Sequence, residues 1–450
     1  MRDVKHLTDR ERRFRALLFL QRKKQPLNRY RGLAEERPKR RRLRVILPIL
    51  AVLLALYPLI NLLLSTKNAL SSVAKATDPA PKARPLGGTL DSWQSFRIAA
   101  EALPLCRPTG DHLTAPLPDG GMVSYSFDPE LQERIGTYLK ESQVPYGVFI
   151  AFDPQTGRIL AMTSHSSLEP GWAQNAFYTP FPMASLFKII TAAAALEMKR
   201  VTPETVLSFN GRLTSENPRY WCAPTRRRGQ EMSLDVAMGK SVNPVFGKLA
   251  SEHVGREALL VYTDRFGFNQ ALFPGTPVTP SRIEAPRTEG ELKLMGAGLG
   301  REVKISPLHA AALIAAVANG GVMMTPVLAD EITNARGERV TTPPPAPLRR
   351  LVNEETAGQL SRMLATTVSS GTSRKVFHDR RGRLLLASVS IAAKTGSISG
   401  TDPEGHYSWF TAYAPIEKPR IALAALIINR NKWKIKATHV GEKALETYFK

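Results

Sequence analysis

Cysteine is nearly absent. Cys106 and Cys222 are the only two among 450 residues, too few for a disulfide scaffold or a structural zinc site. Eight histidines are scattered without H-E-x-x-H or C-x-x-C spacing, so no metal site is legible, and neither a metal nor a cofactor is expected. Acidic residues are scarce relative to basic ones, 39 against 62, for a net charge of +23. Charge-free apolar runs long enough for a membrane are missing except in one place. What is there, 43% apolar residues over a length fit for two or three domains, excludes a wholly disordered chain.

The basicity is concentrated at one end. Residues 1–44 hold 17 Lys and Arg against five Asp and Glu, a net +12, and the other 406 residues supply only +11. Directly behind them, residues 45–66 run for 22 positions without a charge. As a helix they would reach about 33 Å, against a hydrocarbon core of about 30 Å. Pro48, Pro58 and Asn61 interrupt the run, but membrane helices tolerate such residues where neighbours satisfy the freed carbonyls. A single transmembrane helix over 45–66 is therefore expected, in preference to a buried soluble helix or a cleaved signal peptide. The basic tail before it would stay in the cytoplasm and everything after Lys67 would be exported, the catalytic part lying in the periplasm or outside the cell and membrane lipid being a partner. This topology disfavours nucleic acid as the reason for the high isoelectric point. In an exported domain Cys106 and Cys222 could form one bridge, or remain two buried thiols.

Residues 67–120 read as a Pro- and Ala-rich tether followed by a small pedestal, with a short helix around Asp91 to Ala102. From residue 121 the pattern changes. Asp128 caps Pro129-Glu130-Leu131-Gln132 and starts a helix of about four turns. The apolar runs Gly147 to Phe152 and Arg158 to Met162 flank Asp153-Pro154-Gln155-Thr156-Gly157, a turn sequence, and predict a hairpin. Residues 185–314 are mainly helical in pattern, with Leu186 to Met198 the central helix, and Thr342 to Pro347 reads as a loop. Three more strands are expected at Leu386 to Thr395, Tyr407 to Ala414 and Arg420 to Ile428, followed by an amphipathic stretch to Lys450. Together these predict an α+β domain over 121–450: an antiparallel sheet made from both ends of the segment, flanked by helices, with an all-helical insertion between its strands.

Three short motifs carry candidate chemistry. Ser185-Leu186-Phe187-Lys188 opens the apolar helix, and residues three apart share a helix face, so the Lys188 amine can reach the Ser185 hydroxyl as its base. Roughly one S-x-x-K is expected by chance in such a chain; Ser72 to Lys75 is another, placed in the tether. Ser241-Val242-Asn243 offers a hydroxyl for proton relay and an amide to hold a peptide carbonyl. Lys394-Thr395-Gly396-Ser397 ends an apolar strand and combines a cation, two hydroxyls and a glycine permitting close approach, suited to a ligand carboxylate.

In this order, 56 and 153 residues apart, the motifs resemble those of the penicillin-binding proteins, the serine D,D-transpeptidases, which share a fold with the serine β-lactamases. The flanking segments Asp128 to Gln132, Asp153 to Gly157, Ser370-Gly371-Thr372 and Trp409 to Pro415 are also similar, so that the resemblance runs from about Met122 to the C-terminus. It differs from the monofunctional, class B-like members in the shortness of the region between the apolar run and the catalytic domain. The resemblance implies that Ser185 is the nucleophile, Lys188 its base, Ser241 and Lys394 the proton relay, and Asn243 a donor-orienting group. Thr395, Gly396 and Ser397 would bind substrate, with the Ser185 and Ser397 N–H groups forming an oxyanion hole. It further implies peptidoglycan stem peptides as substrates, β-lactams as acylating inhibitors, and a membrane glycan polymerase as a partner. A D,D-carboxypeptidase or endopeptidase, a membrane-anchored β-lactamase and a non-enzymatic β-lactam sensor or scaffold are alternatives. A β-lactamase needs a second base, and no E-P-x-L-N-like segment follows Asn243 before Leu294.

Overall fold

The computed structural model describes residues 89–221, 229–430 and 433–450. The expected transmembrane helix, the basic tail, the Ser72 to Lys75 motif and Cys222 lie outside the described residues, and with Cys222 the question of a disulfide. Among the described residues no helix is long and apolar enough to cross a membrane. The described residues belong to one compact unit.

The main sheet has five antiparallel strands, in the order Ala392–Thr401, Glu404–Ala414, Ile421–Asn429, Tyr146–Phe152, Ile159–His165. Its ends come from both ends of the domain, as expected. The central strands read as unbroken apolar runs because both faces are covered. Val148, Ile150 and Phe152 point into one hydrophobic cluster, with Ala422, Ala424, Leu426 and Ile428. Phe149 and Ala151 point into the other, with Leu423, Ala425 and Ile427, the alternation that a pleated backbone imposes. The first face carries helix Pro307–Ala318, and the second carries helices Pro129–Glu141 and Ala437–Phe449. Asp128 caps its helix as expected, its side chain accepting from the Leu131 N–H at 2.9 Å.

One strand is shifted from its expected place. The apolar run from Leu386 predicts a strand that ends at Thr395, whereas the ladder starts at Ala392 and continues to Thr401. Leu386, Val389 and Ile391 are buried in the second cluster, but as loop residues. Burial of a side chain does not require a ladder, and the tight turn to Glu404 extends the pairing at the other end, Thr401 opposite Glu404.

The inserted part is α+β rather than all-helical. Besides its helices it holds the short ladders Phe181–Pro182 with Lys304–Ile305, Val206–Phe209 with Gln230–Ser233, and Val322–Met324 with Pro347–Arg350. A second five-stranded sheet runs in the order Arg107–Thr109, His112–Pro116, Met122–Tyr125, Ala329–Thr333, Arg339–Val340. Helix Ser92–Ala102 packs beside it, and the Tyr125 hydroxyl donates to the Ala99 carbonyl at 2.9 Å.

Candidate active site

The nucleophile candidate sits where a strand gives way to a helix. Pro182 pairs with Lys304, and the Met183 N–H donates to the Val303 carbonyl at 2.9 Å. Ala184 then adopts φ +54°, a left-handed conformation that costs an alanine about 1–2 kcal/mol. Residues Ala184–Phe187 form a 3-10 turn before the α-helix Lys188–Glu197. In a 3-10 turn side chains three apart eclipse one another, so Lys188 stands directly over Ser185. The pairing expected from α-helical spacing is thus made by a tighter turn. Lys188 through Leu196 are all buried, which explains a helix apolar on every side.

The structure gathers the five candidate catalytic residues into one hydrogen-bonded network. Lys188 Nζ lies 2.7 Å from Ser185 Oγ, 2.7 Å from Asn243 Oδ1 and 3.4 Å from Ser241 Oγ. Lys394 Nζ reaches the same Ser241 hydroxyl at 2.9 Å and the Thr395 carbonyl at 2.9 Å. Ser241 therefore bridges two amines. It too has a left-handed backbone, φ +57°, held by Ser241 N–H donating to the Met238 carbonyl and Val242 N–H to the Ala237 carbonyl. Asn243 opens the helix Asn243–Lys248, and its side-chain amide donates to the Ser215 carbonyl at 3.2 Å. That bond fixes the amide so that its oxygen faces Lys188.

Both lysines are fully buried, and burial drives each toward the neutral amine. Desolvation, and then the nearby Lys394 charge, hold Lys188 well below the ordinary lysine value. Desolvation pushes Lys394 down to about 7. A neutral Lys188 has two N–H donors and one lone pair. With Asn243 and Ser241 taking the donors, the lone pair is left for the Ser185 hydroxyl proton. No carboxylate enters this network among the described residues.

The third motif lies on the edge strand Ala392–Thr401. The Thr395 hydroxyl is 2.6 Å from that of Thr372. A β-carbon added at Gly396 would lie 3.1 Å from Ala184 Cβ and 3.4 Å from Ser185 N, so glycine lets the strand run against the nucleophile turn. Ser397 is exposed on the same strand.

Other supporting residues were not legible from the motifs. Phe246 places its ring 5.8 Å from Lys188 Nζ. Trp409 Nε1 donates to the Pro182 carbonyl at 2.8 Å, and Thr191 Oγ1 to the Gly296 carbonyl at 3.0 Å. Gly298, at φ +72°, packs so tightly that an added β-carbon would meet the Ala184 oxygen at 2.3 Å and Ser185 Cα at 2.8 Å. These partners are remote in sequence, and of the supporting residues Trp409 and Ser370-Gly371-Thr372 announced themselves, as segments flanking the motifs. The Thr372 N–H donates to the Gly239 carbonyl at 3.0 Å. His309 is a core residue, with Nε2 donating to the Phe266 carbonyl and Nδ1 accepting from Ser281, and burial lowers its pKa to about 4.

With this geometry in hand, comparison with known proteins decides the family. The penicillin binding protein transpeptidase domain matches residues 147–446. The chain belongs to the penicillin-binding protein transpeptidase family. Among its relatives, the peptidoglycan D,D-transpeptidase PbpA of Mycolicibacterium smegmatis is 27% identical over 359 residues, which cover 71% of this chain and 70% of that one. Stage V sporulation protein D of Bacillus subtilis is 25% identical over 336 residues, 70% of this chain and 50% of that one. The crystal structure of PBPA from Mycobacterium tuberculosis superposes with a TM-score of 0.61 at 25% identity, covering 73% of this chain and 82% of that one. The family resemblance read from the three motifs is thereby borne out.

Proposed function

We propose that this penicillin-binding protein is a peptidoglycan D,D-transpeptidase. In this reading Ser185 Oγ attacks the carbonyl of the penultimate D-alanine of a stem pentapeptide while its proton passes to the Lys188 lone pair. The N–H groups of Ser185 and Ser397 hold the oxyanion, a kind of contact that contributes about 3–4 kcal/mol per donor in hydrolases. The C–N bond to the terminal D-alanine then breaks. Its amine takes a proton through Ser241, which the two lysines connect, and an acyl-enzyme ester remains on Ser185. An amine of a second stem attacks that ester, gives up a proton by the same route and returns the Ser185 hydroxyl. Thr395 and Ser397 bind the donor carboxylate, Gly396 allows the donor to approach, and Asn243 orients its amide.

The observation that carries this reading is the buried Lys188 amine 2.7 Å from the Ser185 hydroxyl, linked through Ser241 to Lys394. β-Lactams would acylate the same hydroxyl, and a relative has been captured as a ceftriaxone acyl-enzyme complex. Among the described residues the network holds amines, hydroxyls and an amide and no carboxylate, which favours a long-lived acyl-enzyme over a β-lactamase, which must activate water. Residues 45–66 would anchor the chain in the cytoplasmic membrane with the basic tail inside and the catalytic domain outside.

Fluorescent penicillin tests this with the full-length protein in detergent. Labelling that is lost in Ser185→Ala and persists for hours in the wild type is expected, followed by transfer of a pentapeptide donor to an added amine. Rapid release of the label would indicate a β-lactamase, and hydrolysis without transfer a carboxypeptidase.

A further inference from the structure

Asn243 is held from outside its motif, by the loop between Asn210 and Trp221. The loop closes on itself, the Asn210 N–H donating to the Trp221 carbonyl at 3.3 Å. Most of its residues are exposed, but Trp221 at its end is fully buried. The indole packs on the helix that Asn243 opens: a β-carbon added at Gly247 would meet the ring at 2.2 Å. From that anchor Trp221 Nε1 donates to Ser215 Oγ at 3.0 Å and fixes the middle of the loop. Two loop carbonyls then take the donors of Asn243, that of Leu213 the backbone N–H at 2.8 Å and that of Ser215 the side-chain amide at 3.2 Å. A buried indole N–H needs a partner in any fold. Here the partner is the residue whose carbonyl holds Asn243, so a core side chain is connected through Ser215, Asn243 and Lys188 to the Ser185 hydroxyl.

The direction of each bond matters. An asparagine amide has an acceptor on one side and donors on the other. With an N–H committed to the Ser215 carbonyl, the amide turns its oxygen to Lys188 Nζ at 2.7 Å and accepts a hydrogen bond from it. Turned over, it would present N–H groups to Lys188 and occupy the lone pair that takes the Ser185 proton. Its oxygen would then face the Ser215 carbonyl, acceptor against acceptor, which is costly where both are shielded from water. The Ser215 carbonyl thus decides the orientation of the amide, and the Trp221 N–H decides where that carbonyl stands.

We infer that Trp221 and Ser215 are positioning residues for acylation: through the Asn243 amide they keep the Lys188 lone pair directed at Ser185. This role presupposes Ser185 as the acylated nucleophile and adds to it two residues that belong to none of the three motifs.

The test measures second-order acylation rate constants on the full-length protein in detergent with two agents: benzylpenicillin, whose side chain carries an amide for Asn243 to orient, and 6-aminopenicillanic acid, which has none. Rates are taken on the fraction of protein that labels, so that misfolded chains do not enter them. Ser215→Ala and Trp221→Phe are each expected to slow both agents alike, about three- to tenfold, the worth of one neutral hydrogen bond. Ser215→Thr keeps a hydroxyl and should stay within about twofold of the wild type. Because the first two substitutions remove the same bond from opposite ends, the double variant should be no slower than the slower single one. In an Asn243→Ala background Ser215→Ala should have no further effect. A loss confined to benzylpenicillin would mean that the loop serves donor binding rather than the base. Losses that multiply in the double variant, or that persist without Asn243, would mean that the two residues act through packing. Unchanged rates in both single variants, or Ser215→Thr as slow as Ser215→Ala, would mean that the bond is idle. Each of these results overturns the positioning role. Failure of benzylpenicillin to label Ser185 of the wild type would instead overturn the transpeptidase reading, so the two failures are distinct.

Discussion

At the residue scale the decisive feature is a pair of buried amines whose charges compete for one serine hydroxyl. Because burial and Lys394 both disfavour the ammonium form of Lys188, its lone pair is available at pH values where an exposed lysine would be protonated. Acylation by penicillin should therefore fall as pH drops through the apparent pKa of the lysine pair, since protonation removes the base. A profile flat from about pH 5 to 9 would contradict this. The same burial costs stability. Both folded-state lysine values lie below the unfolded one, so the native state binds fewer protons and loses stability as pH falls from the unfolded lysine range toward the depressed values. Lys188→Met removes the burdened amine at nearly constant volume. Its melting temperature at pH 7 is expected to equal or exceed the wild type, while penicillin acylation drops about 10²- to 10⁴-fold, the usual range for loss of a general base. A variant that melts earlier and still acylates would reverse both halves of this account.

At the scale of elements, the nucleophile turn is held from outside as much as from within. Gly298 presses against Ala184 and Ser185 with no room for a β-carbon. Gly298→Ala must shift that turn, and a loss of at least about 1–3 kcal/mol is expected together with slower acylation. Gly275→Ala is the control: it has φ +70° but nothing within 4 Å, so it should incur only the conformational part and acylate normally. Thermal melting and penicillin labelling of the two variants separate contact from backbone strain. The comparison also marks the limit of legibility. Ser185 and Lys188 were legible because a base three residues from a nucleophile is a local relation, and the hairpin at Asp153 to Gly157 because turn residues state their own geometry. The strand start at Ala392 was not, because Leu386, Val389 and Ile391 are apolar for packing rather than pairing. Nor was the non-helical part of the insertion, since ladders such as Phe181–Pro182 with Lys304–Ile305 are too short to show an alternation. Gly298 gave no signal, because its partner lies over a hundred residues away.

At the scale of the whole molecule, the segment that reads as a pedestal is woven into the catalytic unit. His112–Pro116 pairs with Met122–Tyr125, which pairs with Ala329–Thr333, so the second sheet spans the composition change near residue 121. Phe96, Leu113 and Ala115 are buried in the same cluster as the helix that carries Lys188. Two truncations follow from this. A chain beginning at Lys82 keeps the entire compact unit and should be acylated by penicillin at the full-length rate, while leaving the membrane fraction if residues 45–66 are the anchor. A chain beginning at Gly121 strips two strands and the helix Ser92–Ala102 from Val123 and Tyr125, exposing apolar surface on a sheet edge. It should melt well below the longer chain or aggregate, and lose acylation with its fold. Phe96→Ala in the full-length chain probes the same coupling more gently: truncating one buried aromatic costs about 3–5 kcal/mol. Because the core is shared, the loss of penicillin labelling on heating should move down in temperature together with the melting transition. Labelling that outlasts melting of the Phe96→Ala protein would mean that the second sheet unfolds on its own, and that the catalytic lobe stands without it.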